Sequence, residues 1–190
     1  LPKEASFMNT TSSYCRSLIK TVLRYSDATE WKAAVLEWCI DDVEEDETLQ
    51  ESCICGKENL RYLFTIRNTI NGSTLYPIGS SCIKKFERSD LDEEVTVKEQ
   101  LFKLLHAIES QRFLTLSSDL FSRKLLRHLY EIGAFKPTLY NKFDPYRDYQ
   151  FMLDMFNKRN RSERQEKMAT AIILNSIKPF LRDMLHDKIR

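Results

Sequence analysis

The stretch from residue 52 to residue 82 limits the possible folds more than any other part of the chain. It holds three of the five cysteines and three of the four glycines in 190 residues. Cys53-Ile-Cys-Gly56 places two thiols on one tight turn, and Gly79-Ser-Ser-Cys82 returns a third after a hairpin. Zinc favours four ligands in a tetrahedral cage, and thiolates at about 2.3 Å suit it. Gly56 relieves the crowding where the backbone bends around an ion. Cys82 is expected in the first turn of a helix, where amides and the helix dipole favour a thiolate. Knuckle, hairpin and helix in this order match a treble clef or short zinc ribbon, so a structural zinc is the expected cofactor. A hairpin with buried free thiols is the competing reading, and it explains poorly why cysteine and glycine concentrate here. An odd number of cysteines with no secretory leader argues against a disulfide framework.

The fourth ligand is expected to be Cys39, next to a strand-like segment around Trp38, which completes the set Cys53, Cys55, Cys82 and Cys39. His106, His128 and His186 fall on helices of the second half and read as helix-surface or core side chains. Cys15 falls on a helical face and reads as a small core residue. There is no His-Glu-x-x-His, no deaminase pair of motifs, no Gly-x-Ser-x-Gly elbow and no phosphate-binding glycine loop. The chain is therefore expected not to be an enzyme. A metal-dependent enzyme is kept as a further alternative, which would need an open coordination position.

Along the chain, residues 1–12 lack periodicity and read as a flexible arm. Ser12 or Ser13 caps a helix through Leu18, Val22 and Leu23. A second helical start near Trp31 changes to strand near Val35. Seven acids without a base at residues 41–51 predict an exposed loop. Strands are expected at 60–67 and 74–78 around the hairpin signal Asn71-Gly72, with Pro77 placing the second at an edge or ending it. The acidic residues 89–94 read as the joint between a helix-plus-hairpin module over 13–90 and a helical domain over 91–190. Within the latter, Ser118 or Asp119 caps a helix stopped by Gly133. An aromatic linker at 134–143 is expected to pack down. Asp144-Pro145 opens a helix, Ser162-Glu-Arg-Gln165 forms a capping box, and Pro179 kinks or breaks the last helix. The fold class is thus α+β, a small zinc-stabilised hairpin module with a mainly helical domain. Composition is that of a soluble globular protein, and with no apolar run of membrane-spanning length the expected location is cytoplasmic.

The net charge of +1 hides an asymmetry: residues 1–94 carry 11 Lys/Arg against 17 Asp/Glu, and residues 95–190 carry 18 against 11. The asymmetry implies either a basic working surface or two mutually attracting halves. Arg61, Arg67, Lys84, Lys85 and Arg88 surround the metal module with Tyr62, Phe64 and Tyr76. Lys158, Arg159, Arg161 and Arg164 precede or enter a helix. Cations among aromatics can hold phosphates and stack bases; a buried hairpin face and a solvated turn are the competing readings. Nucleic acid or a nucleoprotein complex is the first expected partner. A protein-protein inhibitor or adaptor acting on a host or anti-phage defence enzyme is the alternative, resting on the acidic run 41–51. No membrane partner or small-molecule substrate is expected.

Cys53-Ile-Cys-Gly-Lys57, Ile66-Arg-Asn68, Asn71-Gly72 and Ile78-Gly-Ser-Ser-Cys-Ile-Lys-Lys-Phe86 resemble a small zinc-ribbon-like module of phages, plasmids and integrated elements in Gram-positive bacteria. The later segments around Tyr130, Asp154 and Ile177 look like the helical part C-terminal to that module in some of those proteins. The resemblance covers roughly residues 35–185 and implies a mobile-element setting and a bound metal, with no established activity. Many such modules have His in the place of Lys57.

Overall fold

The computed structural model describes residues 12–110 and 115–190. The arm expected at residues 1–12 lies outside these except for Ser12. The protein is α+β, with helices and a three-stranded antiparallel sheet among the described residues. It divides into two compact units, one running to Val95 and including Lys188–Arg190, the other Thr96–Asp187. Among the described residues no helix is long and apolar enough to cross a membrane.

In the first unit, helix α1 (Ser13–Arg24) begins where the Ser12 side chain accepts from the Cys15 amide, and it buries Leu18 and Val22 one turn apart. Helix α2 (Trp31–Ala34) tightens into a 3-10 turn and passes into β1 (Trp38–Glu45). Strand β2 (Tyr62–Asn68) lies between β1 and β3 (Thr74–Ile78). Proline has no amide to give a ladder, and β3 with Pro77 is at an edge. Trp38 and Ile40 are buried, then a bulge near Asp41 shifts the alternation so that Val43 and Glu45 are buried next. Helix α3 (Ser80–Ile83) and a 3-10 turn to Phe86 come next, and the Trp31 ring meets Phe86 edge-on at 5.4 Å.

Two expectations fail in this unit. The acidic run at 41–51 is not a loop but most of β1 and the turn after it. Its charges are neutralised by cations distant in sequence: Asp41 pairs with Arg67, Asp42 with Lys188, Glu44 with Arg190, and the fully buried Glu45 with Arg61. Asp46 accepts from the Thr48 hydroxyl and the amides of Thr48, Gln50 and Glu51. The Thr48 hydroxyl foremost holds its carboxyl below the usual range. The acidic joint at 89–94 is likewise no breaker but the start of helix α4 (Ser89–Glu109). Asp90 and Asp92 sit in its first turn, where the helix dipole favours acids, while Leu91 and Val95 are buried. The division between the units falls within this helix.

In the second unit, helix α5 (Arg123–Glu131) is capped by Ser122 rather than by Ser118 or Asp119, and Gly133 lies just past its end at φ +84°. Asp144 caps α6 (Pro145–Asn157) with proline in the first turn, and Ser162 with Gln165 forms the capping box of α7 (Glu163–Ile172). A π turn at Ile173–Ile177 leads into α8 (Lys178–Leu185). The wider π ladder lies where the ring of Pro179 would otherwise meet the carbonyl four residues back, so the buried series Ile173, Ile177, Leu181 and Leu185 continues. The linker at 134–143 does not simply pack down. Phe135 is buried, but Leu139, Tyr140 and Phe143 are exposed by 78%, 97% and 65%.

Candidate metal centre

The knuckle is shaped by short backbone bonds. The Cys53 amide donates to the Lys57 carbonyl at 2.8 Å and the Gly56 amide to the Cys53 carbonyl at 2.7 Å. Gly56 has φ +93°, a conformation that a side chain would strain. The Ile54 amide donates to the Pro77 carbonyl at 2.9 Å, which fastens the knuckle to β3. Glu51 and Leu60 form an antiparallel bridge that closes its base. From β3 the chain turns at Gly79, whose carbonyl accepts from the Cys82 amide at 2.9 Å and starts α3. A Cβ at Gly79 would lie 2.9 Å from a Leu60 methyl, so a small residue lets the turn approach the knuckle.

These elements bring Cys53, Cys55 and Cys82 together. Their sulfurs lie within 4.8 Å of one another, and all three residues are buried. Cys53 and Cys82 Sγ are 3.6 Å apart, and Cys82 and Cys55 Sγ 3.3 Å. Tetrahedral zinc with thiolates at about 2.3 Å places sulfurs roughly 3.8 Å apart, so a small outward movement admits an ion. The donor set, three thiols with a backbone amide at their edge, fits a soft or borderline metal.

The sulfurs are not equivalent. The Cys82 thiol beside Cys53, with the Gly79 amide 3.3 Å away and the Cys55 amide, brings the Cys53 pKa down to about 5 against the cost of burial. The Cys82 thiol is pushed up by the same pairing and by burial. The amide that reaches a sulfur at 3.3 Å, that of Gly79, meets Cys53 rather than Cys82, and α3, which carries Cys82, is only four residues long. A depression of about 570 Å³ opens beside Cys55 and Cys82, bordered by Tyr14, Lys57, Glu58 and Lys85.

Cys39, expected as the fourth ligand, is not brought to the cluster. It pairs with Arg67 on β2, and its thiol donates to the Arg67 carbonyl at 3.5 Å. Arg67 in turn faces Thr74, at the opposite end of β3 from Pro77. The spacing from Cys39 to Cys53 allowed an approach, but the direction of β1 decides against it.

Compared with protein-family models, curated proteins and solved structures, the chain matches none.

The basic residues singled out from the sequence divide by role. Arg61 donates to buried Glu45 at 2.8 Å, and Arg67 pairs with Asp41. Arg88 reaches the carbonyls of Val35 and Trp38 and pairs with Asp90. Arg161 ties the Leu116 and Met155 carbonyls to Glu166. Lys158 donates to the Gln165 side chain. Lys84, Lys85, Arg159 and Arg164 make no ion pair among the described residues. The sequence did not distinguish structural arginines from surface ones, because their partners are carbonyls and acids far along the chain. It also missed the outward side chains of the 134–143 linker, whose signal was Pro137 within it, Pro145 just after it and no buried periodicity.

Proposed function

We propose that the chain is a non-enzymatic zinc-binding interaction protein that engages nucleic acid or a nucleoprotein complex, in the mobile-element setting implied by the sequence resemblance. Cys53, Cys55 and Cys82 hold a structural zinc that fixes a treble-clef-like or ribbon-like module. The observation that carries this reading is the convergence of three buried thiols from a knuckle and a helix start, with Cys53 and Cys82 29 positions apart in the chain. When bound, the ion supplies cross-linking of two chain segments that the small sheet alone fastens only by a few backbone bonds. Lys84 and Lys85, beside Cys82, remain available for phosphates. Of the partner classes weighed from the sequence, nucleic acid is favoured, since the acids at 41–51 that an inhibitor would present are engaged with Arg61, Arg67, Lys188 and Arg190.

The test is metal analysis of the purified chain beside oligonucleotide binding over a range of salt. Zinc is expected to bind the wild-type chain and Cys39→Ser, and to be lost from Cys53→Ser, Cys55→Ser and Cys82→Ser. Full metal content and stability in all three variants would sink the metal assignment. Binding of DNA or RNA is expected to weaken steeply with salt; its absence even at low salt removes the nucleic-acid reading.

A further inference from the structure

The segment between α5 and α6 is a fixed loop that presents its apolar side chains to solvent. Asn141 is 3% exposed and serves as its hub. Its side-chain amide donates to the Lys136 carbonyl and to the buried Asp148 carboxylate, each at 2.8 Å, and its side-chain oxygen accepts from the Thr138 amide at 2.8 Å. The Phe143 amide donates to the Thr138 carbonyl at 2.7 Å. Lys142 and Phe143 both have positive φ, 57° and 61°, unusual for side-chain-bearing residues and sustained here by these bonds. With the hub inside, Leu139, Tyr140 and Phe143 point outward. Three large apolar side chains exposed within five residues of a pinned backbone call for an explanation, whereas single ones do not.

Rings on the two flanking helices pack on one another. Tyr130 of α5 stacks on Tyr149 of α6 at 4.8 Å and meets Tyr146 edge-on at 5.8 Å, and both Tyr130 and Tyr146 are partly open to solvent. The same stretch of chain carries cations: Lys136 and Lys142 within the loop, and Arg127 one turn before Tyr130, are exposed and make no ion pair among the described residues. Asp144 is engaged with Arg147. The apolar centre of a protein-protein interface is depleted in charge, whereas aromatic rings alternating with free cations complement bases and phosphates.

We infer that this loop is a stacking platform for single-stranded nucleic acid, with Tyr140 and Phe143 against bases and Lys136 and Lys142 against phosphates. The inference rests on the nucleic-acid reading above and assigns it a site away from the metal centre, with a preference for unpaired bases.

Fluorescence anisotropy with a labelled oligothymidylate of about 15 nucleotides and a duplex of equal length tests it on the full, zinc-loaded chain. Single strand is expected to bind more tightly than duplex. Tyr140→Ala and Phe143→Ala are each expected to weaken single-strand binding about tenfold, with Tyr140→Phe retaining it. Lys136→Gln with Lys142→Gln is expected to flatten the salt dependence by about 1.4 in logarithmic slope. Circular dichroism and zinc content, unchanged in these surface variants, show that the fold is intact. Wild-type binding that survives both alanine substitutions overturns the loop assignment and leaves the nucleic-acid reading standing. Equal affinity for duplex overturns the stacking. No binding of either probe at low salt overturns both readings, and docking of a defined protein through the same two rings reassigns the loop.

Discussion

The carboxylate of Glu37 lies where three donors converge: the Asp27 amide at 2.9 Å, the Ala28 amide at 2.7 Å and the Asn68 side chain at 2.6 Å. Burial alone would push its pKa up, but the Asn68 amide and the two backbone amides outweigh it and hold the group below its ordinary 4.5. A carboxyl depressed in the folded state contributes stability that is present above its unfolded pKa and is lost as pH falls through the folded value. Asp46, depressed chiefly by the Thr48 hydroxyl, acts in the same direction. Glu37→Gln is expected to lower stability at neutral pH and to flatten the loss of stability below about pH 4.5. Denaturant titrations from pH 7 to pH 3 check this, and an unchanged acid limb would show that Glu37 is not responsible. Such a knot was invisible in the sequence, since Asn68 is 31 positions away and nothing local marks Glu37 as buried.

Among the elements, the knuckle, hairpin and caps were legible because their signals are local. Cys53-Ile-Cys-Gly56 forms its turn, Pro77 marks an edge strand, and Asp144 and Ser162 start their helices. Strand β1 was legible only in its first half, because its acidic second half depends on remote cations. The chain's last residues complete it: the Arg190 amide donates to the Glu45 carbonyl at 2.9 Å, and the Glu47 amide to the Arg190 carbonyl at 2.8 Å. The Arg190 guanidinium also contacts Glu44 and Tyr76. Arg190→Pro removes the amide donor and the guanidinium together, and is expected to destabilise the first unit by about 2 kcal/mol in urea unfolding. In the second unit Asn141→Ala takes a donor from buried Asp148, whose pKa is already raised by burial. A loss of about 2 to 3 kcal/mol is expected, with faster amide exchange confined to the loop.

For the whole molecule, the division into two compact units separates the consequences of metal loss. Chelation is expected to lower the melting of the first unit by well over about 10 °C, since structural zinc contributes its binding free energy to folding, while the helical unit keeps its transition. Calorimetry with and without chelator checks this, and a uniform shift of all transitions would contradict it. The opposite charges of the two halves of the chain do not by themselves make a basic face. Part of the positive excess, Lys188 and Arg190, belongs to the first unit and neutralises Asp42, Glu44 and Glu51 there.

By itself the sequence determined the α+β class, the three converging cysteines and most helix starts. These come from short-range chemistry: thiol spacing, turn residues, caps and apolar periodicity act within a few residues of one another. Only the tertiary structure decided that Cys39 stays away from the cluster, that the acids of β1 are paired, and that Tyr140 and Phe143 face solvent. Each depends on the direction in which a strand runs or on a partner tens of residues distant, and such partners exist only once the chain has closed on itself. Asn141 shows the difference most plainly. An asparagine in a proline-flanked linker reads as a turn residue, yet Asn141 is buried and bonded to Asp148 while Tyr140 and Phe143 beside it are exposed.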